Sequence, residues 1–205
     1  MKSLKDYIVE YKGKLDKFDE ITRFRLYNSI FYALVTGMIV PILITLKGQY
    51  IIPWILSILI IAQNLAIKTN KYMVKKFTIP QMFKMGVVVH TLFSLTTLVY
   101  FISPKVMIYL DSIIGILETV VFSAFSIALN TYLAKNYPND MDDFQIVRNS
   151  TWVDANLLGL AVISITLYFL PIKYGILLPV IANTLLISWM IVNWSYMEKN
   201  IINDK

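Results

Sequence analysis

The sequence has no cysteine and only one histidine, His90, among its 205 residues. The lack of cysteine excludes disulfides, thiolate metal sites and a cysteine nucleophile. A lone histidine with no cysteine in the chain provides no ligand cluster for a structural metal. We therefore expect this chain to bind neither a cofactor nor a metal.

Familiar catalytic motifs and charge are also scarce. The chain has no HExxH motif, no serine nucleophile motif with a histidine partner, and no paired DxxD motifs of the lipid-headgroup transferase kind. Charged residues make up 16% of the chain, whereas a soluble domain carries roughly 25%. We expect a protein that is not an enzyme and that does not fold as a soluble domain.

Apolar residues are abundant instead. They make up 57% of the chain, and the mean hydropathy is +0.62. A helix needs about 20 apolar residues to cross a bilayer. Six stretches of this kind lie at residues 28–46, 49–67, 85–103, 106–134, 150–170 and 174–197. The sequence thus predicts an all-α polytopic membrane protein, with a six-helix transmembrane domain at 28–197 between an N-terminal segment (1–27) and a tail (198–205).

Positive charge is unevenly distributed around these segments. Sixteen of the nineteen Lys and Arg residues lie in the N-terminal segment, in the loops after the second and fourth segments, and in the tail. The three other loops hold one lysine each: Lys47, Lys105 and Lys173. The positive-inside rule predicts a multi-pass protein of the cell membrane with both termini in the cytoplasm. The net charge of +6 is spread over these loops, so we expect the lipid bilayer as its partner and not nucleic acid.

The N-terminal segment has an amphipathic pattern. Lysines and acids separate apolar residues that recur mostly every three or four positions, namely Leu4, Ile8, Tyr11, Leu15, Phe18 and Phe24. The pattern predicts a helix lying in the cytoplasmic interface. Two roles stay open for it: a gate or partner-docking helix, or a leader that anchors the first span.

The fourth segment is the longest and carries two carboxylates. Asp111 and Glu118 are seven residues apart and therefore share a helical face, with Gly115 between them. Glu118 is predicted near the middle of the bilayer, where a carboxylate costs about 3 kcal/mol and by default marks a functional site. Asp111 is predicted near the outer interface. The alternative for Glu118 is a protonated, hydrogen-bonded structural residue.

Three further residues are candidates for a substrate or ion site. His90, in the third segment, is either a proton-relay residue that pairs with a carboxylate or a packing residue. Asp154 lies about one turn inside the fifth segment, where it is able to pair with Arg148 or with a neighbouring helix. The candidate site is therefore Glu118, His90, Asp154, Asp111 and Arg148.

The order of features resembles one six-helix half of a major facilitator superfamily transporter. The first span contains a basic and aromatic start and then a glycine before a proline, FRLYNSIFYALVTGMIVPIL. A basic loop follows the second span, KTNKYMVKKF, and the fourth span leads through YLAKNYPNDMDDFQIVRNSTW to LLGLAVI in the fifth. The family's loop motif of glycine and aspartate is absent from residues 68–77, so no gating residues carry over.

The resemblance implies that this chain is half of a transporter. Transporters of that family contain two six-helix halves, so two copies of the chain in parallel orientation would form a twelve-helix assembly. The first hypothesis is therefore a half-transporter-like bundle that moves a small solute as a homodimer or with a partner subunit. The alternative is a non-catalytic membrane accessory or immunity protein that binds a membrane protein, a toxin or a peptide.

Overall fold

The computed structural model describes residues 13, 16, 18, 20–47, 51–136, 138 and 141–201. This part of the chain is helical and contains no strand. Its long helices are α1 (Glu20–Lys47), α2 (Ile51–Lys76), α3 (Ile79–Leu98), α4 (Pro104–Asn136), α5 (Met141–Phe169) and α6 (Ile172–Ile201), with a 3₁₀ turn at Val99–Phe101. The prediction of an all-α fold is confirmed for these residues, whereas most of the predicted N-terminal amphipathic helix lies outside them.

Four of the helices are long and apolar enough to cross a membrane. These stretches are Ile79–Phe101, Pro104–Asn136, Phe144–Phe169 and Ile172–Val192. α4 is the longest helix, with 33 residues, which corresponds to about 50 Å and exceeds a hydrocarbon core of about 30 Å. The structure thus agrees with a membrane protein, while six spans and the orientation of the termini stay predictions.

Local sequence signals place the boundary between α2 and α3. Thr78 is the N-cap of α3: its hydroxyl accepts from the Gln81 backbone N–H at 3.3 Å, and its own N–H donates to the Gln81 side chain at 2.9 Å. This capping box satisfies two donors that the first turn of a helix would leave unpaired. Pro80 fits beside it, because the first turn needs no N–H from that residue.

Helices that are neighbours in sequence are not always neighbours in space. α1 packs mainly on α5 and α6, α2 mainly on α4, and α3 on both α4 and α6. The short turns in the sequence around residues 47–49, 103–105 and 171–173 predict three hairpins, α1 with α2, α3 with α4 and α5 with α6. Extensive packing within a hairpin is seen only for α3 with α4. α1 with α2, and α5 with α6, make far fewer contacts with each other. The main contacts are therefore set by side-chain fit between distant helices.

The contact pattern has an internal symmetry. Exchanging α1, α2 and α3 with α4, α5 and α6 converts the α1–α5 contact into α4–α2 and the α3–α4 contact into α6–α1. The α3–α6 contact is converted into itself. The two three-helix halves of the chain therefore play equivalent parts in the bundle.

Two glycines allow α1 and α5 to approach closely. A methyl group added at Gly159 would collide with the backbone carbonyl of Leu34, and one added at Gly37 would collide with the backbone carbonyl of Asn156. Small residues at such crossings are typical of membrane helix pairs, because they let the backbones come into contact. This close crossing fixes α5 beside α1.

The largest apolar cluster closes one end of the bundle. It joins all six long helices through buried side chains that include Phe24, Phe83, Phe125, Phe144 and Met190. Phe18 belongs to it too and meets the ring of Phe144 edge-on at 6.3 Å. α2 contributes only Met73 to this cluster, so it is the least embedded helix. The polar residues described next lie beside this core.

Candidate functional site

Two adjoining cavities lie between α1 and α4. The arginine cavity, of about 480 Å³, is bounded on its far side by α5, and its lining includes Arg25, Ser29, Ser126, Arg148 and Trp152. The carboxylate cavity, of about 220 Å³, is bounded by α2, and its lining includes Thr36, Leu59, Asp111, Gly115 and Glu118. Tyr32 and Thr119 line both cavities. Each cavity is half-enclosed, and we call the two adjoining cavities together the α1–α4 groove.

The lining of the α1–α4 groove is nearly as long as the hydrocarbon core of a membrane is thick. Along α4 its lining runs from Ile108 to Ser126, which corresponds to about 27 Å of helix. Along α1 it runs from Arg25 to Ile39, about 21 Å. These lengths approach the roughly 30 Å thickness of the hydrocarbon core. Glu118 lies near the middle of the groove.

The structure brings together two of the candidate residues, His90 and Glu118. The Nδ1 atom of His90 contacts Oε1 of Glu118, which places an imidazole and a carboxyl group in direct hydrogen-bonding contact. Both are buried, with 1% of His90 and 5% of Glu118 exposed. Glu118 also lines the carboxylate cavity, so it faces the groove as well as His90. His90 does not line the cavity and lies behind Glu118.

The surroundings of His90 are aromatic. Its ring lies 6.1 Å from the rings of both Tyr32 and Phe122 and 6.5 Å from that of Phe93. Its Nε2 atom is buried and has no hydrogen-bond partner among the described residues. Glu118 is therefore the polar partner that fixes the ring. The pair is able to hold a proton between an imidazole and a carboxylate in an apolar setting, which is the chemistry of a protonatable site.

Asp111 lies at the end of the carboxylate cavity that is further from the arginine cavity. It is 8% exposed, and its Oδ1 accepts a hydrogen bond of 2.6 Å from the hydroxyl of Thr96. Gly115, one helical turn further along α4, and Glu118 line the same cavity as Asp111. The seven-residue spacing of the two carboxylates predicts this shared face. At this end the side chain of Trp54 on α2 donates from Nε1 to the hydroxyl of Ser112 on α4 at 2.9 Å.

The arginine cavity contains a buried guanidinium that the sequence reasoning missed. Arg25 is only 7% exposed and donates from Nη1 to Ser29 and from Nη2 to Ser126, both at 2.8 Å. Its Nε is buried and has no hydrogen-bond partner in the part of the chain that the structure describes. Arg25 entered the sequence reasoning only as one of the topology charges. The signal for it was its spacing to Ser29 and Tyr32, which puts all three on one face of the first helix.

The remaining two candidate residues have different surroundings. Arg148 lines the arginine cavity and donates from Nη2 to the side-chain oxygen of Asn149 at 3.2 Å. Asp154 lies six residues further along α5, is exposed, and lines neither cavity. The structure therefore places Arg148 opposite Arg25, Glu118 and Asp111 in the adjoining cavity, His90 behind Glu118, and Asp154 outside the groove.

Comparison with known proteins adds no relative to this description. No family model matches the chain, and neither a curated protein nor a solved structure matches it.

Proposed function

We propose that this chain is an integral membrane protein that crosses the bilayer six times, with both termini in the cytoplasm, and moves a small solute along the α1–α4 groove. The observation that carries this proposal is that the two adjoining cavities together line about 27 Å of α4, with protonatable and cationic side chains along them. A cavity lined by polar residues at membrane depth is the usual place of a substrate or ion pathway. The groove is half-enclosed, so a second bundle is needed to complete its wall.

The internal symmetry of the contacts supports the resemblance to half of a major facilitator superfamily transporter. Each six-helix half of that family contains two three-helix repeats of inverted topology. The main helix pairs of this chain map onto each other when its first three helices are exchanged with its last three. A second copy, or a related partner subunit, would supply the other half of the assembly.

Glu118 and His90 are the residues on which the proposed transport depends. Glu118 reaches the groove and His90 holds it from behind, so protonation of the pair changes the charge that a solute meets halfway along the groove. Moving a charge through a membrane requires such a compensating group, because an isolated charge is costly there. Asp111 and Arg148 mark the two ends of the same route.

Purification and uptake together test this function. The tagged protein, extracted in mild detergent, is expected to have twice the mass of the 23.7 kDa chain or the mass of a complex with a partner. Proteoliposomes with an imposed proton gradient are then offered radiolabelled lactate, alanine, glucose and choline. We expect one of these solutes to accumulate and Glu118→Gln to reduce its uptake at least tenfold. Glu198→Gln, which changes an exposed carboxylate outside the groove, is the matched control.

A different outcome would favour the accessory role. A stoichiometric second protein that stays bound to the Glu118→Gln variant, but is lost when residues 1–22 are deleted, would identify the chain as a binding subunit. Equal uptake by the wild type and by Glu118→Gln would remove the proposed role of the His90–Glu118 pair.

A further inference from the structure

We propose that the arginine cavity is a binding site for a small organic anion, a carboxylate or phosphate on a compact body with an apolar face. Two arginines line this one cavity, Arg25 from α1 and Arg148 from α5. The ion pairs seen among the described residues, Arg23 with Asp16 and His90 with Glu118, include neither of them. Two guanidinium groups thus share this cavity, and neither forms an ion pair seen among the described residues.

The guanidinium of Arg25 is held ready for such a ligand. Two serine hydroxyls, on Ser29 and Ser126, fix its terminal nitrogens, while Nε stays buried and unpartnered. A buried donor without a partner costs free energy, and so does a buried cation without a counter-ion. An anion in the cavity offsets the cost of the buried cation, because guanidinium groups bind carboxylate and phosphate through short, charge-assisted hydrogen bonds.

The rest of the lining defines the body of the ligand. Asn28, Ser123 and Asn149 add neutral polar groups, whereas Tyr32, Phe122 and Trp152 present aromatic rings. The volume of about 480 Å³ lies in the range of about 300–1,000 Å³ that is typical of small-molecule sites. This combination of two cations and three rings fits an anion that carries a planar or compact apolar portion.

The position of this cavity next to the carboxylate cavity gives the anion a route. Tyr32 and Thr119 line both cavities, so a ligand at Arg25 and Arg148 adjoins the space that Glu118 faces. An anion passes a carboxylate more readily when that carboxylate is protonated, because the like-charge repulsion is then removed. The identification of the bound anion as the transported solute rests on the proposed function. The binding of an anion in the arginine cavity does not rest on it.

Titration calorimetry on the purified, delipidated protein tests the site with benzoate as the probe and benzamide as its neutral counterpart. We expect saturable binding of benzoate and at least tenfold weaker binding of benzamide. Arg148→Gln should weaken benzoate binding at least tenfold, and Arg148→Lys should keep part of the affinity because it keeps the charge. Lys71→Gln, which removes an exposed charge outside the groove, should leave the affinity unchanged.

A second arm distinguishes the sources of the anion. Nanodiscs of phosphatidylglycerol are compared with nanodiscs of phosphatidylcholine: loss of benzoate binding only in the former identifies a lipid headgroup as the anion, whereas equal binding in both identifies a soluble anion. Equal binding of benzamide and benzoate, or unchanged binding by an Arg148→Gln variant of normal melting temperature, would overturn the proposal. The proposal would also be overturned if the protein showed neither benzoate binding that Arg148→Gln weakens nor any effect of phosphatidylglycerol. Uptake of choline alone would leave the transport function standing and exclude the anion as its solute.

Discussion

At the scale of single residues, the His90–Glu118 pair shows how a buried charge is made tolerable. Each partner is almost fully enclosed, and each supplies the polar contact that the other lacks. Removing one partner of a buried polar pair leaves the other without compensation, which costs more than replacing both. The pair is therefore expected to behave as a unit in stability measurements as well as in transport.

Replacing Glu118 by alanine should lower the free energy of unfolding by about 1–3 kcal/mol, because both ring nitrogens of His90 would then be buried without partners. Glu118→Gln keeps a group that hydrogen-bonds to Nδ1 and should cost less. Unfolding in mixed micelles of sodium dodecyl sulfate measures both values.

The double variant His90→Ala with Glu118→Ala provides the control. Its loss of stability should fall short of the sum of the two single losses by roughly 0.5–3 kcal/mol, the size of a direct coupling. Strict additivity would mean that the two side chains do not stabilise each other.

At the scale of helices, the α1–α5 crossing is the contact most sensitive to volume. Gly159→Ala places a methyl group against the backbone carbonyl of Leu34, which is not able to rotate away as a side chain would. We expect the helices to separate and the free energy of unfolding to fall by about 1–3 kcal/mol, as is usual for overpacking. The same micelle unfolding measurement applies.

Gly115→Ala is the matched control for this prediction. Gly115 lines the carboxylate cavity, and a methyl group there meets nothing within 4 Å. Its stability should be unchanged or slightly higher, since alanine favours a helix by up to about 1 kcal/mol over glycine. A larger loss for Gly115→Ala than for Gly159→Ala would contradict the close crossing.

The helices themselves were largely predictable from the sequence, but their neighbours were not. Apolar length and the Thr78–Gln81 capping signal are local, and the structure confirms helices at the predicted segments. The glycine of LLGLAVI is visible in the sequence, yet nothing local specifies that it meets Leu34. Short turns therefore favoured sequential hairpins, whereas close packing selected α5 as the partner of α1.

The same limit explains what was found and missed at the candidate site. Glu118 stands out because a mid-helix carboxylate in an apolar segment is rare, and that signal needs no partner. The sequence leaves His90 as either a proton-relay residue that pairs with a carboxylate or a packing residue, because its partner depends on how α3 packs on α4. Arg25 lies just before an apolar segment, where arginine usually sets orientation. Its burial depends on Ser126, 101 residues away.

At the scale of the whole molecule, the topology is open to a direct test. Because the chain has no cysteine, each introduced thiol is the sole labelling site. With a membrane-impermeant maleimide added outside intact cells, Gln49→Cys and Lys173→Cys should react, whereas Lys2→Cys and Lys71→Cys should react only after lysis. Protection of both Gln49→Cys and Lys71→Cys would show that α1 and α2 do not cross the membrane.

The proposed assembly makes a second prediction at this scale. Leu59 is 46% exposed on the wall of the carboxylate cavity, so Leu59→Cys in a homodimer closed over the α1–α4 groove should be joined by a short bifunctional maleimide. Val192 is 76% exposed on α6, which lines neither cavity, and Val192→Cys should give monomers on a denaturing gel. The reverse result would place the contact between copies on the opposite side of the bundle.

The half-enclosed groove also has a consequence for the life of the protein in a cell. In the proposed assembly, a copy without its second bundle would leave the polar lining of the α1–α4 groove open to lipid, where polar groups are poorly solvated. Membrane quality-control proteases degrade subunits with such surfaces, so assembly and degradation compete for each newly made copy. Where the second bundle is a partner subunit, the steady-state amount of this protein should therefore follow the supply of that subunit more closely than its own rate of synthesis.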